Sequence, residues 1–193
     1  MNFPEISTSE VFKNIPVGSV EAMPDFMWSD ALWHLGNCKI DLKHKIGKGF
    51  IDVKLRYYND LGDKYVWLLG EYKKEDCQEM QAIAQLLMYL GNFFYDTNIE
   101  GIDNLAGIFV ASGDHFRLIR RENLLGIMEK FEYIWRKHFR VSPCSAYEEP
   151  EIKRFIKDNS DELLAGSLLA ERYGKNLRLD EIIKSIYEAW NLQ

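Results

Sequence analysis

Glu71 and Lys73 stand two apart at the end of the apolar run Val66-Trp67-Leu68-Leu69-Gly70, and residues two apart on a β-strand point to the same face. A carboxylate and an amine are therefore expected side by side. Upstream, Phe50-Ile51-Asp52-Val53-Lys54-Leu55-Arg56-Tyr57 alternates strictly, with Ile51, Val53, Leu55 and Tyr57 on one side and Asp52, Lys54 and Arg56 on the other. If the two runs pair as a hairpin through Tyr58 to Lys64, Asp52 and Glu71 share a face with Lys73 beside them. Two carboxylates and a lysine suit a hard divalent cation, a water and a phosphate oxygen. Magnesium takes few carboxylate oxygens and keeps several waters. Asp52, Glu71 and the carbonyl of Tyr72 would make a half-shell for it, with manganese as a substitute. Lys73 would orient the water and offset growing negative charge, while Lys54 and Arg56 would bind flanking phosphates. An ordinary charged strand face offers the same residue types, with Asp52 paired to Lys54 or Lys73 and Glu71 to Arg56.

The elements that must position these residues are legible from periodicity. Residues 75 to 95 read as a long helix with Met80, Ile83, Ala84, Leu87, Leu90 and Phe94 at core spacing. Gln78, Gln81, Gln85, Tyr89 and Asn92 form one polar stripe on it. Gln81, Gln85 and Tyr89 would hydrogen-bond a phosphate or the lysine, or else the stripe is the solvent side of its helix. Cys38 to Ile46 is a first strand, Leu105 to Ala111 a buried strand, and His115 to Arg120 another, followed by a helix from Glu122 to about Phe139. Pro143 and Pro150 bracket a linker, and helices are expected from Glu151 onward, through Leu168 and Leu169, broken near Gly174. Near the amino terminus, Asp25 to Leu35 fits an amphipathic helix on which Asp30 and His34, four apart, share a face.

At 193 residues, 47% hydrophobic and 13% aromatic, the chain has ample material for one core. It lacks a run of about 18 uncharged apolar residues and a basic-then-apolar leader, so no membrane span is expected and an intracellular protein, cytoplasmic or nuclear, is. Cys38, Cys77 and Cys144 are odd in number and widely spaced, which argues for reduced thiols over a disulfide or zinc framework. The net charge of −6 disfavours a nucleic-acid partner on average. Yet Lys39, Lys43, Lys45, Lys48, Lys54 and Arg56 cluster against only Asp41 and Asp52, and a local basic strip holds a phosphate backbone even on an acidic protein. Lysines that discourage edge aggregation would look the same.

The order helix, three strands, helix, strand, with Asp52 on the second strand and Glu71-Tyr72-Lys73 on the third, resembles the PD-(D/E)XK nuclease superfamily over about residues 25 to 120. Gln85-Leu86-Leu87-Met88-Tyr89 is similar to the Gln-X-X-X-Tyr element of its RecB-like members. The resemblance implies an α/β fold: a restriction-endonuclease-like αβββαβ core with a mixed central sheet flanked by helices, plus a C-terminal helical extension. The expected division is an arm over 1–24, the nuclease-like domain over 25–140, and an extension over 141–193 packed on the core. Asp52, Glu71 and Lys73 would be catalytic, Asp52, Glu71 and Tyr72 would bind magnesium, and Gln81, Gln85 and Tyr89 would face the cleft. The implied activity is magnesium-dependent hydrolysis of phosphodiester bonds in nucleic acid, as an endonuclease or exonuclease, with DNA favoured over RNA. No Pro-Asp precedes the site and the first helix offers no clear glutamate, so Asp30, His34 or Glu21 would stand in as an extra ligand. The alternative is a non-catalytic module on the same fold that binds nucleic acid or protein, as a subunit of a larger complex. The acidic tail suits a protein partner, or a homodimer through the C-terminal helices.

Overall fold

Alternating and apolar runs form a mixed sheet in the computed structural model, which describes residues 38–46, 49–58, 62, 64–73, 76–95, 102–112 and 115–171. The expected arm over 1–24, the helix carrying Asp30 and His34, the Tyr58-to-Lys64 turn in part, and the chain after residue 171 lie outside the described residues. Three strands, β1 (Cys38–Ile46), β2 (Gly49–Tyr58) and β3 (Tyr65–Lys73), form an antiparallel meander. Helix α1 (Glu79–Tyr95) then crosses over to β4 (Leu105–Ser112), which runs parallel to β3. A parallel pair requires such a crossover because a tight turn cannot reverse the chain twice. Strand β5 (His115–Arg120) returns antiparallel and leads into α2 (Arg121–His138). Beyond a 3₁₀ segment at Pro143–Glu148 come two short helices, α3 (Pro150–Asp158) and α4 (Ser160–Leu164).

The helical reading of Leu168 and Leu169 is corrected. Leu168–Glu171 is a strand, β6, that pairs antiparallel with β5 and completes a six-stranded sheet in the order β1-β2-β3-β4-β5-β6. Residues after 141 are thus partly built into the sheet and not only laid on it. A short apolar run without clear period fits either state, and an open sheet edge decides it by offering unpaired N–H and C=O groups.

Helix α1 is apolar far beyond one stripe: Ala82 to Gly91 are buried without a break. It lies between β3 on one side and α2 and the Pro143–Glu148 segment on others, and a helix covered on several sides is apolar on several sides. Trp67 and Leu69 of β3 join α1 and α2 in one cluster, and the Trp67 and Phe93 rings meet at 5.1 Å. On the opposite sheet face Val53, Leu55, Leu68 and Phe109 are buried as well. The side of β2 that carries Ile51, Val53 and Leu55 is thus core, and the side that carries Asp52 and Lys54 is covered in turn by α1.

Close approach of α1 and α2 depends on Gly91. A Cβ there would stand 2.0 Å from Cδ1 of Trp135, whose ring also stacks on Tyr95 at 5.3 Å. Alanine would gain up to about 1 kcal/mol of helix propensity, but forcing a methyl into a filled interior costs about 1–3 kcal/mol. Gly91→Ala is therefore expected to lower the urea midpoint even though it improves the helix. A midpoint above wild type would show that Trp135 can move aside.

Candidate active site

Strands β2 and β3 pair from Tyr58↔Tyr65 to Val53↔Gly70 and no further. At the parting, the side chain of Asp52 takes over a backbone role: the N–H of Tyr72 donates to Asp52 Oδ2 at 2.9 Å. In return, the N–H of Asp52 donates to Glu71 Oε1 at 3.4 Å. Two carboxylates are thus tied to the splayed end of a hairpin by the backbone groups that the hairpin leaves unmatched.

By strand alternation Glu71 and Lys73 continue the face of Trp67 and Leu69, which α1 covers. Lys73 Nζ lies 3.4 Å from Glu71 Oε2 and donates to Gln85 Oε1 at 3.1 Å. The other end of that amide, Nε2, donates to Cys144 Sγ at 3.7 Å. Gln85 is only 4% exposed, so its two ends are matched to a donor and an acceptor as a buried amide requires. Glu71 is fully buried. Burial first, and then the neighbouring negative charge of Asp52, push its carboxyl well above the usual carboxylate range, with Lys73 opposing them.

The structure therefore brings together Asp52, Glu71, Lys73 and Gln85, with the backbone of Tyr72 between them. Gln81, one turn before Gln85, is partly exposed on the same helix. Tyr89 has a different place from the one expected. It is fully buried, and its hydroxyl donates to the carbonyl of Phe50 at 2.8 Å, so it props β2 and does not present a group to a substrate. Burial and the charge of Glu71 raise its pKa, which keeps the phenol a proton donor.

Lys54 and Arg56 are corrected as phosphate contacts. Lys54 is 1% exposed, with its amine 4.8 Å from the Trp67 ring centre and 5.8 Å from that of Phe93, a cation–π placement beneath α1. Arg56 is ion-paired with Asp41 of β1. Both share a strand face with Asp52, as alternation requires, but Lys54 is closed off beneath α1 and the Arg56 charge is already answered by Asp41. Asp30 and His34 lie outside the described residues. Sequence reading missed Cys144 and Phe50. The thiol meets Gln85 across 59 positions, a separation that leaves no local pattern, whereas Phe50 was visible as the first residue of the alternating run.

The donor set fits a hard cation: two carboxylates, one of them buried with its charge opposed, are oxygen ligands whose repulsion a divalent ion relieves. Among the described residues no group of three or more His, Cys, Asp and Glu side chains gathers. No helix among the described residues is long and apolar enough to cross a membrane. Compared with known proteins, the chain matches no family model, no curated protein and no solved structure.

Proposed function

We propose that this α/β domain is a restriction-endonuclease-like αβββαβ core of RecB-like type and acts as a magnesium-dependent nuclease, on DNA in preference to RNA. The observation that carries the reading is the convergence of Asp52, Glu71 and Lys73 where β2 and β3 part, with Gln85 bonded to Lys73. The meander β1-β2-β3, the α1 crossover and the parallel β4 supply the matching chain order.

Asp52, Glu71 and the carbonyl of Tyr72 would hold magnesium, which supplies a water acidic enough to attack at neutral pH and neutralises a phosphate oxygen. Glu71 must lose its proton to serve, which burial resists and the Lys73 ammonium favours. An ammonium has three N–H groups. Those of Lys73 directed at Glu71 and Gln85 fix the side chain, and the third orients the attacking water and offsets charge growing on the phosphate. Gln85 holds Lys73 without adding charge, and Cys144 holds Gln85.

A non-catalytic binding module is the second reading. The burial of Lys54 takes away one phosphate contact, which counts against a grip on nucleic acid and favours the protein-binding form of this second reading. A gel assay of linear, circular and single-stranded DNA and of RNA, with magnesium, manganese or EDTA, separates the two. Cleavage that needs the metal and disappears in EDTA is expected. Binding without cleavage under every metal would decide for the module.

A further inference from the structure

Four large hydrophobic side chains stand exposed among the described residues: Phe50, Leu125, Tyr133 and Phe139. The last three lie on α2 or at its end. Phe50 alone belongs to the sheet, two residues before Asp52, so it lies about 7 Å along the strand from it and on the same face. The residue is 56% exposed, and its ring has no aromatic partner among the described residues.

The mounting of that ring is far from loose. The fully buried Tyr89 donates its hydroxyl to the Phe50 carbonyl at 2.8 Å. Gly49, just before, backs onto the same tyrosine so closely that a Cβ would lie 2.7 Å from its Oη. A buried polar group thus fixes the backbone of a side chain left in water, although burying a phenylalanine is worth about 1.5–3 kcal/mol. On β1, Lys45 occupies the register position beside Phe50, and β1 is the edge of the sheet among the described residues. A rigid exposed ring on the face that carries Asp52 and Glu71 offers the π-face on which a base of a single strand stacks.

Resting on the nuclease reading above, we propose that Phe50 is a stacking platform for an unpaired nucleobase of the strand whose phosphate lies at Asp52 and Glu71. The substrate class is then single-stranded nucleic acid or an unpaired end. Bases inside a duplex already have both faces covered by their neighbours, so a ring fixed in the sheet can stack only on one that is unstacked.

The test compares kcat/KM on a single-stranded oligonucleotide with that on a blunt duplex of the same sequence, for wild type, Phe50→Ala and Phe50→Trp with magnesium. Phe50→Ala is expected to lose about ten- to a hundred-fold on the single strand and less than about twofold on the duplex, with Phe50→Trp within about threefold of wild type. Because the ring is exposed, its removal leaves the fold in place, and the duplex rate serves as the internal control. An active wild type whose Phe50→Ala variant is unchanged, or falls equally on both substrates, overturns this inference and leaves the nuclease reading standing. A wild type inert on both substrates overturns the two together.

Discussion

Lys73→Ala is expected to slow magnesium-dependent cleavage by about a hundred- to a thousand-fold, the usual cost of removing one group that stabilises charge in the transition state. Binding of nucleic acid and of the cation should stay close to wild type. The asymmetry follows from position. Lys73 Nζ touches Glu71 and Gln85, and on the proposed mechanism it would reach the phosphate only as negative charge grows there, so its loss should act on kcat more than on KM. Asp52→Ala should differ in kind. It would remove a proposed ligand oxygen and does remove the acceptor of the Tyr72 N–H, so cation binding itself should fail in a calorimetric titration. Wild-type rates from purified Lys73→Ala would move the catalytic site elsewhere, and equal metal loss in both variants would make Lys73 a structural group.

Glu71→Gln is expected to abolish cleavage and, without divalent metal, to make the protein more stable at pH 7 to 8. In the folded chain burial and then Asp52 raise the carboxyl of Glu71 above its unfolded value. Between the unfolded and the raised folded pKa, the native state holds more protons than the unfolded state, so the free energy of unfolding falls as pH rises through that window. The metal-free wild type is therefore penalised at neutral and alkaline pH and relieved as the pH drops toward the ordinary carboxylate range. Glutamine has the same shape and nothing to ionise. Each kcal/mol of penalty removed shifts the thermal midpoint of a chain of this size by about 2–4 °C.

Magnesium should restore the wild type at high pH by binding the native state and should leave Glu71→Gln unmoved. Urea melts of both proteins from pH 5 to 8.5, in EDTA and in magnesium, check this. The difference between the two profiles isolates Glu71 from every other titrating group. Parallel profiles would mean that Glu71 is not the group under strain.

Local periodicity determined much of this protein. Strict alternation from Ile51 to Tyr57 marks β2, and the Glu-X-Lys spacing places Glu71 and Lys73 on one face of β3, since two residues on a strand always return to the same side. Helical spacing marks α1 and puts Gln85 and Tyr89 on one stripe. Those relations are properties of one strand or one helix and need nothing from the rest of the chain.

Whether a shared face is open or covered is decided elsewhere. Lys54 lies on the face of Asp52 as alternation requires, but the rings of Trp67 and Phe93 close over it. Tyr89 follows Gln85 by one turn, yet meets Phe50 from 39 positions away while Gln85 meets Lys73. Leu168–Glu171 became a strand because β5 had an unpaired edge to offer. In each case the outcome depends on which element docks against which, and docking is set by the burial of surfaces far apart in the chain. A repeat of two or of 3.6 residues does not encode that.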